Sequence, residues 1–238
     1  EPENLLKQEV REPSLYNAII SAIATGASKL SEISTKVGEN SSTCTAYLKN
    51  LISLGLVRRE TPYGEKNSKK TIYTVEDNMF RFWYRFIPDN ASLIVRGASD
   101  LAYQRIRPQL SDYMGKIFED ICTQYLWQLL LNGKSPVFFK ELGRWWGTDP
   151  ATHAQTEIDI MGEQDKNTAL FCECKWTNDL VDSGVLELLV HRSQLFHYNS
   201  THLFLFSKNG FTSGCTEMAE KLGNVTLVSY SDIYGSCQ

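Results

Sequence analysis

Two short segments, residues 155–161 (QTEIDIM) and 168–176 (TALFCECKW), constrain the fold more than any other feature, because each sets charges inside what otherwise reads as buried β-strand. Strand side chains alternate, so the spacing predicts Glu157 and Asp159 on one face with Ile158 and Ile160 on the other. The same rule puts Phe171, Glu173 and Lys175 together, opposite Leu170, Cys172 and Cys174. The intervening turn at 162–167 makes a hairpin of the two strands and brings two or three carboxylates and one ammonium together, with the register left open. Facing acids repel unless a cation lies between them, and carboxylate oxygens suit Mg²⁺ or Mn²⁺. A solvated strand face carrying E-x-D and E-x-K is the bland alternative. It is disfavoured by the apolar surroundings, where an unpaired charge is costly.

The flanking pattern alternates helix and strand. A helix is expected over 112–131, strands at 137–146, 156–161 and 168–175, a helix at 181–198, a strand at 202–207, a helix at 212–222 and a strand at 225–229. That order predicts a mixed sheet with helices on both faces.

The N-terminal third reads differently. Helices are expected at 13–26, 29–37 and 41–54, the last opened by Ser41 or Ser42 and closed by Gly55. Strand-like residues 56–60 and 71–75 then flank a polar loop, which predicts a winged helix-turn-helix over 1–77. Between Ser41 and Val75 six basic side chains (Lys49, Arg58, Arg59, Lys66, Lys69, Lys70) face two acidic ones (Glu60, Glu65). DNA phosphates are the expected partner of Arg58, Arg59, Lys66, Lys69 and Lys70, although winged helices also dock proteins. Residues 78–110 read as a helical connector, with Phe80, Trp83 and Ile87 on one face for core packing, and 111–238 form the second domain.

The net charge of −4 excludes a uniformly basic nucleic-acid coat but not a local patch. Six scattered cysteines in 238 residues do not make a disulfide framework, and Cys172-x-Cys174 has no second pair at zinc spacing. No stretch is apolar enough to span a bilayer and no signal core is present, so a cytoplasmic location without membrane contact is expected.

At Asp159 and Glu173-Cys174-Lys175 the sequence resembles the PD-(D/E)xK nuclease superfamily, although Ile158 stands where the proline of the name would be. The resemblance implies a restriction-endonuclease-like mixed-sheet α/β domain. It also implies that Asp159, Glu173 and Glu119 of the first helix ligate Mg²⁺ or Mn²⁺, that Lys175 is an electrostatic catalyst, and that Gln194 and Tyr198 match a Q-x-x-x-Y helix. The segments EVREPSLYNAI, YLKNLISLGLV, FRFWYRF, GRWW, EIDI and ECKW further resemble the C-terminal region of archaeal-type AAA+ ATPases. This implies an ATPase module in cis or in trans. The chain itself carries no G-x-x-x-x-G-K-[ST] loop, and its first residue, Glu1, suggests a piece of a longer protein. Arg144 of GRWW is a phosphate contact in this reading, or a structural residue at a sheet edge beside Trp145 and Trp146.

Three functions follow as expectations. The first is a metal-dependent DNA nuclease joined to a DNA-binding winged helix. The second is an inactive nuclease fold that binds DNA or a partner for an ATPase. The third, a transcription factor using the winged helix alone, leaves the acidic cluster unexplained. The sequence is silent on oligomeric state.

Overall fold

A computed structural model describes residues 13–65 and 69–235. Lys66 and Cys237 lie outside the described residues. The chain divides into two compact units. One takes in the described residues up to Thr61 and from Glu65 to Pro108; the other comprises Pro62–Gly64 and the described residues from Gln109 onward.

In the first unit α1 (Pro13–Ala24), α2 (Leu30–Val37) and α3 (Ser41–Ser53) are followed by the antiparallel pair β1 (Val57–Glu60) and β2 (Ile72–Val75), then by α4 (Asn78–Phe86), a 3₁₀ turn and α5 (Ala91–Val95). The expected order of three helices and a hairpin is present. Asn40, rather than a serine, caps α3 by accepting the Thr43 N–H (2.8 Å), which leaves Ser41 and Ser42 inside the helix. Gly38 ends α2 in a left-handed conformation that only a residue without a Cβ adopts cheaply. The apolar faces of these elements meet in one cluster, with Ile19, Ile20, Ile33, Leu48, Leu51, Val57, Val75, Phe80 and Tyr84 buried. The aromatic run of α4 is therefore core for Phe80, Tyr84 and Phe86, with Trp83 half-buried against the same cluster.

The second unit is a mixed α/β fold. Its sheet runs β3 (Gly143–Thr148), β4 (Gln155–Glu163), β5 (Thr168–Lys175), β6 (Ser200–Ser207), β7 (Val225–Ser229), in that spatial order. The first two pairings are antiparallel and the last two parallel. Strands buried on both faces read as continuous apolar runs, as ALFC and LFLF do. The helix α6 (Ser99–Leu131) packs Phe118, Cys122 and Leu126 on one face against Ile160, Leu170, Cys172, Phe204 and Phe206, with α9 (Tyr230–Gly235) beside it. On the other face α7 (Ser183–Ser193) and α8 (Ser213–Leu222) cover Ile158, Met161, Phe171, Leu203 and Leu205.

Three boundaries differ from expectation. The helix expected from 112 begins at Ser99 and continues through Pro108, at the expense of one backbone hydrogen bond. Residues 137–142 form no strand: Val137 and Phe139 are buried by side-chain packing alone, so their apolar character misled the strand reading. And α7, capped by Asp182 accepting the Val185 N–H, stops at Ser193 rather than 198.

The loop before β3 lies so close to β4 that a Cβ at Gly162 would stand 2.7 Å from Leu142 Cδ2 and 3.1 Å from the Glu141 carbonyl oxygen. Gly162→Ala is expected to cost about 1–3 kcal/mol, the usual range for overpacking. A denaturant midpoint unchanged from wild type would show that this loop is not held against the strand.

Candidate functional site

The β4–β5 ladder is in register from Glu163↔Ala169 to Ile160↔Cys172, and the next pair outward in the same count is Asp159 and Glu173. On the other edge of β4, Gly143 pairs with Met161 and Trp145 with Ile158, so the single residue Arg144 faces two, Asp159 and Ile160. This is a β-bulge, a device that re-aims one side chain where a strand would otherwise alternate. It corrects the expectation that Ile158 and Ile160 share a face: they lie in the cores on opposite sides of the sheet. On β5 the alternation holds, with Leu170 and Cys172 in one core and Phe171 in the other.

Asp159 is 7% exposed and Glu173 3%. Asp159 Oδ2 accepts the Cys174 N–H (2.8 Å), the one hydrogen bond that this side chain makes among the described residues. Burial, then the charges of Glu173 and Glu119, push its carboxyl up to about 7. Glu173 is compensated differently. Its Oε1 takes Lys175 Nζ at 2.5 Å and its Oε2 takes Arg192 Nη1 at 2.7 Å. Burial draws the Lys175 ammonium down, but the Glu173 carboxylate outweighs it and the net direction is up. Glu119, on α6, is also raised by burial, against the attraction of Lys116 (2.9 Å) and Arg144 (3.5 Å).

Arg144 bridges Glu119 and Glu157, the latter at 2.9 Å, so two carboxylates hold the guanidinium expected to meet phosphate. The segment Pro62–Gly64 borders this region: the Tyr63 N–H donates to the Arg144 carbonyl (2.8 Å) and the Tyr63 hydroxyl accepts the Glu163 N–H (3.1 Å).

Gln194 and Tyr198 do not share a helix face. Gln194 is the C-cap of α7 and Tyr198 lies in the loop beyond, its hydroxyl donating to Glu163. Burial and that partner raise the Tyr198 hydroxyl above its ordinary range. Both line a cavity of about 500 Å³ bounded also by Val190, His197, Asn199 and Asn224.

Sequence reasoning missed Arg192, whose partner lies 19 residues away, and the pair of His191 Nε2 with buried Asp149 Oδ2 (2.8 Å). The His191 hydrogen bond, followed by the Ala151 N–H, holds Asp149 down at about 2. Neither pairing leaves a spacing signal, because each depends on where α7 settles on the sheet.

In donor chemistry the carboxylates suit a hard divalent cation, and Asp159 has no ion pair of its own among the described residues. Glu173 and Glu119 are each already neutralised. No group of three or more His, Cys, Asp or Glu side chains among the described residues is drawn together closely enough to hold a metal ion. Of the three carboxylates, Asp159 is the one with no ion-pair partner among the described residues.

In the first unit Arg58 pairs with Glu60 (3.2 Å) and Glu76 (3.4 Å), and Lys70 with Glu65 (2.9 Å). Arg59 and Lys69 are exposed.

Residues 83–187 match the family DUF234, archaeal and bacterial proteins of unknown function. Asp159, Glu173, Lys175, Glu119 and Arg144 fall inside that match; Arg192, Gln194 and Tyr198 fall outside it. An uncharacterized protein of Methanocaldococcus jannaschii is 37% identical over 190 residues, which cover 79% of this chain and 41% of the relative. The chain thus spans about two fifths of that relative's length. Among solved structures, an O-methyltransferase of neocarzinostatin biosynthesis with S-adenosyl-L-homocysteine overlays at a TM-score of 0.23 and 13% identity, covering 91% of this chain and 64% of that one, a likeness too slight to bear on the fold. No helix among the described residues is long and apolar enough to cross a membrane.

Because the Asp159 carboxyl is raised from 3.8 to about 7, the folded state holds its proton where the unfolded chain has lost it. The stability it contributes is full below 3.8 and is lost as pH rises through about 7. Urea midpoints measured in EDTA should fall over that window in the wild type, and less steeply in Asp159→Asn. Equal slopes would mean that Asp159 does not titrate there.

Proposed function

We propose that the second unit is a divalent-metal-dependent phosphodiester hydrolase acting on DNA, of the PD-(D/E)xK type, and that the first unit is a winged helix-turn-helix binding the DNA backbone. The observation that carries this reading is the buried carboxyl of Asp159, set on a bulge beside Glu173 and Lys175 with no ion pair of its own among the described residues. Burial makes this carboxyl costly to ionise, which is why it holds its proton up to about 7, and a functional cation is an economical reason to keep an acid there.

In this reading Asp159 and Glu173 would be the residues to hold Mg²⁺ or Mn²⁺, with Glu119 as a further acid, although as they stand these side chains are not drawn together closely enough to do so. Such an ion would supply Lewis acidity and an acidified water. The chain's own groups do the rest. Lys175, its side chain one third exposed, carries the ammonium that would meet the negative charge developing on a phosphate as water attacks. The Cys174 N–H fixes the Asp159 carboxylate, and Arg144 keeps Glu119 and Glu157 from repelling each other. Gln194 and Tyr198 line a neighbouring loop cavity, where they support a substrate strand rather than the metal.

In the first unit Arg58, Arg59, Lys69 and Lys70 form the phosphate-binding surface. Arg58 and Lys70 are each more than two fifths exposed in their ion pairs, so water and salt weaken those pairs and phosphates can compete for the basic groups. A cytoplasmic location and an ATPase module, in cis or in trans, complete the reading. The M. jannaschii relative has room for further modules beyond the matched stretch.

A second reading, an inactive nuclease fold used for binding, is favoured by one observation: both oxygens of Glu173 are already held by cations.

Calorimetry with Mn²⁺ and cleavage of single- and double-stranded DNA separate the two. Asp159→Ala should lose metal affinity and cleavage together, whereas Lys175→Ala should keep metal affinity and slow cleavage by about 10²–10³-fold, as loss of an oxyanion donor does. A wild type that neither binds Mn²⁺ nor cuts overturns the hydrolase reading. For the first unit, Arg59→Ala with Lys69→Ala should weaken DNA binding across sequences and flatten its salt dependence by about two phosphate contacts. An unchanged slope removes these residues from the interface.

A further inference from the structure

The cavity at the end of α7 lies away from the acidic cluster along the β5–β6 ladder. Thr201 of its lining pairs with Ala169, whereas Glu173 pairs with Leu205 four residues on, about 13 Å farther along the strands. Its volume of about 500 Å³ is that of a small-ligand site.

The lining decides what can fill it. No lysine, arginine, aspartate or glutamate borders the cavity among the described residues, so an ion entering it would lose hydration with no charge to replace it. An aliphatic chain would instead cover amide groups and leave them unsatisfied. One part of the wall is aromatic and apolar. Phe196 and Tyr198 lie 29° from parallel with ring centroids 6.3 Å apart, and Leu203 and Leu222 extend this surface. The Tyr198 hydroxyl donates to Glu163, which fixes its ring in place. The other part is amide. Asn224 Nδ2 donates to the Thr201 carbonyl (2.8 Å) and Asn199 Nδ2 to Asn167 Oδ1 (3.2 Å). Each bond commits the amide nitrogen and leaves the oxygen an acceptor with no partner among the described residues. The Gln194 side chain makes no hydrogen bond among the described residues. A lining of this kind suits a flat neutral ring, apolar on its faces and carrying N–H donors on its edge.

We propose that this cavity binds an amino-bearing nucleobase, its face against the Phe196 and Tyr198 wall and its exocyclic amine donating to the amide oxygens of Asn199 and Asn224. This goes beyond the hydrolase reading, since it needs neither metal nor cleavage. A free nucleoside and an unpaired position in a strand present the same chemistry.

The test uses the full chain in EDTA throughout. Equilibrium dialysis measures deoxyadenosine, deoxycytidine and thymidine, and fluorescence anisotropy measures labelled single strands of adenine, of thymine and of abasic sugar-phosphate of equal length. Deoxyadenosine and deoxycytidine should bind about tenfold more tightly than thymidine, which has no exocyclic amine. The adenine strand should bind about tenfold more tightly than the abasic one if a nucleic acid is the occupant, the effect of one stacked base. Nucleoside binding with no such gain makes a free small molecule the occupant; either result supports a nucleobase site. Leu222→Trp fills the cavity from a position 40% exposed and should abolish these preferences. If that variant does not fold, Gln194→Ala, at an exposed position, should weaken deoxyadenosine binding instead. Thymidine bound as tightly as deoxyadenosine overturns the proposal. So does a preference that survives Leu222→Trp, or the absence of nucleoside binding together with equal affinity for adenine and abasic strands. None of these failures touches the hydrolase reading, because no divalent ion is present.

Discussion

The burial of Asp159 and Glu173 at the outer end of the β4–β5 ladder sets the terms for everything near it. Two carboxylates placed in the interior repel each other and lose their hydration, a penalty of several kcal/mol per ion unless it is compensated. The surroundings are a set of compensations. Glu173 has two cations, Asp159 has a backbone N–H and a carboxyl that holds its proton toward neutrality, and Glu119 has Lys116 and Arg144. Replacing any one partner changes what the others must do.

The compensating groups arrive from four elements: Lys116 from α6, Arg144 from β3, Lys175 from β5 and Arg192 from α7. Their meeting depends on the apolar layers, since Phe118, Cys122 and Leu126 fix α6 on one face while Leu186 and Leu189 fix α7 on the other. The bulge at Asp159 and Ile160 lets one strand serve both layers at once: Ile158 fills the core under α7, Ile160 fills the core under α6, and Asp159 between them turns toward Cys174. Core packing and the acidic cluster are therefore one problem with one solution, rather than a neutral scaffold with a site added.

This explains what could be read from the sequence. Element types came through because period-2 and helical patterns are local: β5 alternates as written, and the cluster of α1, α2 and α3 follows its apolar spacing. Asp159, Glu173 and Lys175 stood out because charge inside an apolar strand is anomalous wherever the chain folds. The bulge did not come through, because a shift of register leaves no mark in the residues that undergo it. Pro108 looked like a boundary, yet α6 passes through it, since a helix of 33 residues survives the loss of one backbone hydrogen bond. Val137 and Phe139 looked like strand, yet burial alone satisfies them. Arg192 carried no signal, because arginine on a helix is ordinary until its partner is known.

The two units use the same kind of contact with opposite physics. Arg58 with Glu60 and Glu76, and Lys70 with Glu65, are pairs in which the basic partner is more than two fifths exposed; water and salt screen them and their net worth is small. Glu173 with Arg192 is enclosed, at 4% and 14% side-chain exposure, so breaking it by removing one partner strands a charge in the interior. The exposed pairs yield to any anion in proportion to its charge and the ionic strength. The enclosed pair resists both screening and exchange with passing ions, because neither partner can leave without abandoning a charge to the interior, so its contribution is to fix the end of α7 against β5 rather than to respond to ionic strength.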